Sequence, residues 1–201
     1  MKELLKKIFL NKKISSSKDL KFQELKDKSG VNKIFDAINS YNNISEVRYV
    51  GGCVRKILNK ENTDDIDLAT NLTPDQVKAC LDNSKIKYFE TGLEHGTITA
   101  KIDNQNFEIT TLRKDVKTDG RHAIVEYTTN WEEDALRRDF TINSIYSDID
   151  GNLYDPNNGH KDLINGIIKF IGEPETRIRE DYLLSLIHIS EPTRLRRISY
   201  A

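Results

Sequence analysis

The sequence has few cysteines, no long apolar run and almost no net charge. Two cysteines, Cys53 and Cys80, stand in a chain of 201 residues. They are too few for a disulfide framework, which favours two small buried thiols and a location in the reducing cytoplasm. No apolar stretch approaches the roughly 20 residues of a membrane-spanning helix, so we expect no membrane partner. The formal net charge of −1 provides no overall attraction to nucleic acid.

What the sequence does contain is the composition of a globular domain, with 37% hydrophobic and 31% charged residues. The basic N-terminus is interrupted by Glu3, and its apolar run is too short to predict a secretory signal. We expect an N-terminal extension at residues 1–30.

Residues 49–67 contain the first candidate functional feature, a pair of glycines between a strand and a helix. A short apolar stretch leads into Gly51 and Gly52, and the residues after them have the pattern of a helix. Two glycines at such a turn let backbone N–H groups approach an anion at the helix N-terminus. Arg55, on the first helical turn, can add charge-assisted bonds to phosphate oxygens. Taken alone, a Gly-Gly pair is more often a plain turn.

The second feature is the pair Asp65 and Asp67, spaced so that both side chains leave one face of a strand. Two neighbouring carboxylates repel each other unless a divalent cation lies between them, and Mg²⁺ favours such oxygen ligands. A solvated strand end is the alternative interpretation. A glycine turn that can bind an anion, next to two aspartates that can bind a metal ion, is typical of magnesium-dependent transfer to or from a nucleoside triphosphate.

Apolar spacing predicts the elements that surround these features. Residues 31–39 have apolar positions at helical spacing, and Thr73, ahead of a proline, predicts the N-cap of another helix. Residues 97–102 and 106–112 form a predicted hairpin around a polar turn. The polar residues 113–130 lack a strong period and predict a flexible loop beside the site.

Glu108 is the only acidic residue of the second hairpin arm. If that arm lies beside the strand of Asp65 and Asp67, Glu108 supplies a third carboxylate to the same site. An ordinary exposed strand glutamate is the alternative. The choice depends on which strands are neighbours, which spacing alone does not fix.

These motifs resemble the catalytic head of class II tRNA nucleotidyltransferases, the CCA-adding enzymes, and of bacterial poly(A) polymerases. Both belong to the polymerase-β-like nucleotidyltransferase superfamily. The resemblance extends over about residues 46–183 and is most specific at Arg137 to Asn143, which read Arg-Arg-Asp-Phe-Thr-Ile-Asn. Its motifs occur in the family's order at residues 51–55, 65–70, 92–97, 107–113, 137–144, 154–156 and 179–183.

The resemblance implies an α/β (α+β) head at residues 31–148, with a small mixed sheet that carries the carboxylates and helices packed on one side. It implies that the head ends and a helical neck starts within residues 149–183, which leaves an aberrant tail at residues 184–201. It implies a two-metal nucleotidyl transfer in which Asp65 and Asp67 hold Mg²⁺ and Glu108 is the third acidic position. The expected substrates are ATP and CTP, and the expected acceptor is the 3′ end of tRNA, bound through C-terminal domains. The residues that the resemblance assigns to nucleotide binding are Gly51, Gly52, Arg55, Arg138, Asp139, Asn143 and Asp181.

Two positions depart from the family's pattern. Lys56 stands where the family usually has aspartate, which affects a local contact to the glycine turn. Leu184 stands where the family has an arginine that, together with the position of Asp181, selects the incoming base. Leucine offers no hydrogen-bond donor, so this departure predicts lost discrimination. The sequence after Leu183 leaves the family's pattern and resembles a translated adapter, so we expect a gene-model artefact there and a longer natural protein.

Three interpretations of function stay open from the sequence. CCA addition is favoured by the form Gly-Leu-Glu-His-Gly-Thr at residues 92–97. A poly(A) polymerase shares the head, and a catalytically impaired nucleotide-binding module would explain Lys56 and Leu184. The intact Asp65 and Asp67 argue against such decay. A small-substrate nucleotidyltransferase of the antibiotic-modifying type fits residues 137–143 poorly.

Overall fold

The computed structural model describes residues 21–27, 30–63, 65–92, 95–119, 122–175, 177 and 197–198. Four expectations therefore lie wholly or mostly outside the described residues: the extension at 1–30, the role of Asp181, the departure at Leu184 and the tail at 184–201. Each helix in the described part of the chain falls short of the length and apolar character that crossing a bilayer requires.

Short helices and strands alternate along the chain. Among the described residues, the helices are α1 (residues 21–27), α2 (Asn32–Asn39), α3 (Gly52–Leu58), α4 (Pro74–Asn83), α5 (Trp131–Leu136) and α6 (Gly159–Asn165), with a 3₁₀ turn at Thr141–Asn143. Residues 174–175 and 177 are also helical. The strands are β1 (Val47–Val50), β2 (Ile66–Thr70), β3 (Lys87–Gly92), β4 (Thr97–Ile102), β5 (Gln105–Thr111), β6 (Arg113–Asp119), β7 (His122–Tyr127), β8 (Tyr146–Ser147), β9 (Leu153–Tyr154), β10 (Ile167–Ile168) and β11 (Arg197–Ile198).

Seven of the described strands form one mixed sheet in the order β3-β4-β5-β2-β1-β8-β9. β2 and β5 run parallel, whereas the other neighbours in this sheet are antiparallel. The parallel register places Asp67 directly opposite Glu108. The predicted hairpin is present as β4 and β5, and the expected mixed sheet that carries the carboxylates is confirmed.

The two faces of the sheet have different environments because successive side chains of a strand point to opposite faces. Tyr49, Leu68 and Ile109 point into the main core, to which α2, α3 and α4 contribute their buried apolar residues. Asp67 and Glu108 are the alternate residues of β2 and β5 and therefore project from the opposite face. The main core thus fixes the two strands from behind while the carboxylates stay accessible in front.

Helix α5 packs on the face that carries the carboxylates, at one end of the sheet. Ala135 forms a second small cluster there with Val50, Ala69, Leu112 and Tyr146. Val50 and Tyr146 are direct partners across β1 and β8, which places both side chains on this face. The helices expected on one side of the sheet are therefore α2, α3 and α4, and α5 closes one end of the other side.

The prediction of a loop without regular structure at residues 113–130 is wrong, whereas its predicted flexibility stays a prediction. β6 and β7 pair as an antiparallel hairpin with a sheet of their own. A backbone ladder does not require an apolar face, and Lys114 Nζ lies 3.3 Å from the Glu126 carboxylate across the two strands. Ile124, Val125 and Tyr127 are residue types enriched in strands, and this weak signal was outweighed by the surrounding charge.

Both cysteines are free and buried, as the sequence predicts. Burial raises the pKa of the Cys53 thiol to about 12, and the nearby charge of Asp67 acts in the same direction. Cys53 therefore stays protonated at neutral pH, although it lies next to the glycine turn. Cys53 packs in the core under that turn, and its protonated thiol is a poor nucleophile because the thiolate is the reactive form.

Thr73 caps α4 as predicted. Its side-chain oxygen accepts a bond from the Gln76 N–H at 3.4 Å, and the Gln76 side chain accepts one from the Thr73 N–H at 2.9 Å. Pro74 follows at the first helical position, where its missing N–H costs nothing. The reciprocal pair satisfies two backbone donors at the start of a helix that packs against the sheet.

Replacing Thr73 with alanine should lower the free energy of unfolding by about 1 kcal/mol, because a backbone donor of the first turn loses its acceptor. Urea denaturation followed by circular dichroism measures the change. Thr129→Ala, at an exposed position outside any helix or strand, is the matched control and should leave the midpoint unchanged. The capping role would be contradicted by the same midpoint for Thr73→Ala and the wild-type chain.

Candidate active site

Gly51 and Gly52 make the turn between β1 and α3. Gly51 has a φ of 70°, in the left-handed region that favours glycine. A Cβ built on Gly51 would lie 3.8 Å from both Arg138 Nη1 and the Asn143 carbonyl oxygen. A Cβ built on Gly52 would meet nothing within 4 Å, so the turn is open beside it. The fold therefore joins the glycine turn to the segment of Arg138 and Asn143.

Asp67 and Glu108 lie side by side on neighbouring parallel strands. Asp67 is half-buried and Glu108 is exposed. Burial raises the pKa of Asp67, and the negative charges of Glu108 and Asp65 raise it further. The positive charges of Arg138 and Lys56 act in the opposite direction. Asp65 and Glu108 therefore both lie close enough to Asp67 to repel its charge.

The donor set fits a divalent cation that shares its ligands with a substrate. Carboxylates that raise one another's pKa are stabilised when a cation lies between them. No group of three histidine, cysteine, aspartate or glutamate side chains among the described residues is arranged to hold an ion without help. Mg²⁺ ordinarily takes one or two carboxylates and completes its shell with water and substrate phosphates. Asp65 and Asp67 can supply such a partial set.

Arg55 belongs to a chain of hydrogen bonds that joins α3 to the 3₁₀ turn. Its Nη1 donates to the Asn143 side-chain oxygen. Asn143 Nδ2 in turn donates to the two Asp139 carboxylate oxygens, at 3.1 and 3.3 Å. Asp139 also accepts a bond from the Phe140 N–H at 2.7 Å. Asn143 and Asp139 therefore hold Arg55 in place and fix the local turn.

Asp134, on α5, is a buried carboxylate that the sequence analysis missed. It accepts bonds from Arg137 Nε at 2.8 Å and from Arg138 Nε and Nη2 at 3.2 and 3.1 Å. It also accepts bonds from the Tyr146 hydroxyl at 2.7 Å and the Arg113 N–H at 3.2 Å. Its side chain is only 1% exposed. One carboxylate therefore joins five donors from four residues.

The protonation state of Asp134 follows from two opposing effects on its pKa. Burial by itself would raise the pKa of Asp134, but the charges of Arg138 and Arg137 and the bonds from its neighbours lower it below the usual value. Asp134 is therefore ionised at neutral pH. Its spacing from the two arginines, which lie three and four residues further along the chain just after α5, was the available signal. Spacing does not reveal burial, so the same pattern also fits an exposed ion pair.

A cleft of about 520 Å³ opens between these elements. Arg113, Arg137 and His95 line it in addition to predicted residues. Asp65 is exposed and is not part of the described lining, and Asp181 lies outside the described residues. The predicted site residues that the fold brings together in the cleft are Gly51, Gly52, Arg55, Asp67, Glu108, Arg138, Asp139 and Asn143.

Comparison with known proteins identifies the family to which the chain with this cleft belongs. The sequence model of the poly A polymerase head domain matches residues 47–169, which is more than half of the 201-residue chain. The chain belongs to the poly A polymerase head domain family. The matched segment contains β1 to β10 and the whole described cleft, and it lies inside the segment, 46–183, over which the motifs predicted the resemblance.

Named relatives of this head domain are CCA-adding enzymes. The human mitochondrial CCA tRNA nucleotidyltransferase 1 is 52% identical over 139 residues, which cover 69% of this chain and 32% of that protein. The crystal structure of the Bacillus stearothermophilus CCA-adding enzyme in complex with CTP is 29% identical, with a TM-score of 0.72. That match covers 85% of this chain and 41% of the other.

A second solved structure extends the comparison to RNA. It is a tRNA nucleotidyltransferase complexed with a primer tRNA and an incoming ATP analog, at 25% identity and a TM-score of 0.61. The match covers 77% of this chain and 43% of that one. The described head thus spans about a third of the human relative's length. The predicted family resemblance and fold class are confirmed, and the activity of the longer relatives is a separate question.

Replacing Asp67 with asparagine should raise the free energy of unfolding at pH 7 by about 1 kcal/mol in the absence of divalent cations. The folded pKa of Asp67 lies above its unfolded value because of burial and the charges of Glu108 and Asp65. Its ionisation therefore destabilises the fold above the folded pKa, and this penalty disappears below the unfolded pKa of about 3.9. Thermal unfolding as a function of pH measures the difference.

The exposed Asp36 provides the matched control, since Asp36→Asn removes the same charge away from the cleft. Adding Mg²⁺ should raise the unfolding temperature of the wild-type chain and of Asp36→Asn, but not that of Asp67→Asn. Equal stability of Asp67→Asn and wild type at pH 7 would contradict the crowding of these carboxylates.

Proposed function

We propose that this chain is the head of a template-independent RNA nucleotidyltransferase that adds C and A to the 3′ end of tRNA. The observation that carries the proposal is the parallel register of β2 and β5, which sets Asp67 beside Glu108 in a cleft rich in arginine. Further support comes from the names of the relatives, which are CCA-adding enzymes. The substrates under this proposal are CTP and ATP.

Asp65 and Asp67 would hold the metal ion, which we propose to be Mg²⁺, with Glu108 as the third acidic group. When bound, Mg²⁺ would lower the pKa of an RNA 3′-hydroxyl and stabilise the leaving pyrophosphate. The carboxylates themselves hold the negative charge that attracts and positions the ion. The raised pKa of Asp67 supports this assignment, because a cation would relieve the repulsion from Glu108.

Arg55 and Arg138 would bind the triphosphate from two sides of the glycine turn. Gly52 supports this role, since the space beside it is open and a ligand can approach the backbone there. Asn143 and Asp139 would act mainly by orienting Arg55 through the chain of hydrogen bonds between α3 and the 3₁₀ turn. Asp181 is proposed to contact the base of the incoming nucleotide.

The RNA partner under this proposal is the tRNA 3′ end. A structural relative is complexed with a primer tRNA, which supports this choice. The net charge of −1 supports a head that contributes chemistry while most tRNA binding comes from other segments of the longer relatives. We propose a cytoplasmic location from the two free, buried cysteines, whereas the human relative is named as mitochondrial.

Incubating the chain with Mg²⁺, radiolabelled nucleotide and a tRNA that lacks its 3′ CCA tests the activity. We expect incorporation of label from both CTP and ATP, because CCA addition uses the two nucleotides in turn. Asp67→Ala should lower the rate of incorporation by more than about a hundredfold. Removal of a residue that only supports a metal ligand already costs up to about that factor, and Asp67 is proposed to contact the metal directly. Gel electrophoresis of the labelled tRNA measures the product.

Asp75→Ala, a change of an exposed aspartate on α4, is the control for the loss of a charge. Incorporation from ATP alone would identify a poly(A) polymerase. Binding of Mg-CTP that depends on Asp67 without any product would identify a nucleotide-binding module. Either outcome would contradict CCA addition by this chain.

A further inference from the structure

Three arginines line one wall of the cleft and share a single buried partner. Arg113, Arg137 and Arg138 all belong to the lining. Asp134 bonds to the side chains of Arg137 and Arg138 and to the backbone N–H of Arg113. Arg113 belongs to β6 and the other two follow α5, so the carboxylate also ties two elements together. This wall of the cleft is thus built around Asp134.

The bonds to Asp134 fix which way Arg138 points. Asp134 Oδ2 accepts from Nε and Nη2, which occupies one edge of the guanidinium group. Nη1 lies on the side of the glycine turn, 3.8 Å from the position of a Cβ on Gly51. The Tyr146 ring lies 5.3 Å from the guanidinium carbon, and its hydroxyl bonds both to Asp134 and to Arg138 Nε. Arg138 is therefore held from one edge and along its face.

We propose that Asp134 is a positioning residue, which orients Arg137 and Arg138 so that the cleft binds the triphosphate of the nucleotide. The inference rests on the proposed function, because it assumes that the cleft binds a nucleoside triphosphate. Asp134 acts through the arginines and does not touch the substrate. Tyr146 completes the arrangement by closing the hydrogen-bonded ring with Asp134 and Arg138.

Charge and geometry make opposite predictions for the loss of this carboxylate. As a negative charge behind the arginines, Asp134 lowers the positive potential of the cleft, so its neutralisation would strengthen anion binding. As an orienting group, it holds guanidinium donors in place, so its loss would weaken anion binding. We expect geometry to dominate, because removing one partner of a buried ion pair leaves a misplaced and uncompensated charge. Arg138 is only 16% exposed and cannot simply turn into solvent.

Asp134→Asn in the full 201-residue chain tests the inference. Isothermal titration with CTP and with inorganic triphosphate, both in Mg²⁺, should show at least about tenfold weaker binding than in wild type. Saturation-transfer NMR with cytidine, which carries no phosphate, should show that Asp134→Asn binds cytidine as the wild-type chain does. A general loosening of the fold would weaken the binding of cytidine and of triphosphate together. A loss of affinity for triphosphate alone therefore indicates positioning of the arginines and not a loss of stability.

Glu132→Gln is the matched control, since it removes the same charge from an exposed position of the same helix. Triphosphate binding by Asp134→Asn that equals or exceeds that of wild type would overturn the positioning role and leave the proposed function standing. A wild-type chain that binds no CTP would overturn both. If Asp134→Asn does not fold, Tyr146→Phe replaces it, and an affinity for triphosphate equal to that of wild type would then overturn the inference.

Discussion

The pairing of β2 with β5 is the constraint on which the candidate site depends. It is the parallel step in an otherwise antiparallel sheet, and a parallel pair needs a long crossover connection. Here α4, β3 and β4 provide that crossover, so α4 covers the main core while Asp67 and Glu108 come into register on the other face. Leu68 and Ile109, the next residues along the two strands, are buried and anchor the carboxylates from behind. Apolar burial thus holds together two charges that repel each other.

The positive side of the cleft is fixed by hydrogen bonds that exist before any substrate is present. Arg55 is held by Asn143 and Asp139, and Arg138 is held by Asp134. A guanidinium group that is already oriented loses less conformational entropy when a phosphate binds. The two arginines approach the glycine turn from different elements, α3 and the segment after α5. The cleft therefore brings preoriented arginines together with two carboxylates, of which Asp67 is half-buried and Glu108 is exposed.

Features with a local cause could be predicted from the sequence. The glycine turn and the Thr73 cap each depend on neighbouring residues, and both are present as predicted. Of the aspartate pair, Asp67 lies on β2 whereas Asp65 precedes that strand, so the prediction that both share one strand face holds only for Asp67. The proximity of Glu108 depended on strand order, which only the family resemblance supplied. The β6–β7 hairpin was missed because its charged residues hid its strand-forming types. Asp134 was missed because burial is a tertiary property, and an ion pair on a helix looks the same in sequence whether it is exposed or buried.

Under the proposed function, Asp67 and its neighbouring carboxylates hold a divalent cation against a bound nucleotide. Crystals of the chain grown with Mn²⁺ and a non-hydrolysable CTP analogue would test it through the anomalous scattering of the metal. We expect an anomalous peak between Asp65, Asp67 and the triphosphate, with Arg138 at the phosphates. A nucleotide bound elsewhere, or a peak away from these carboxylates, would contradict it.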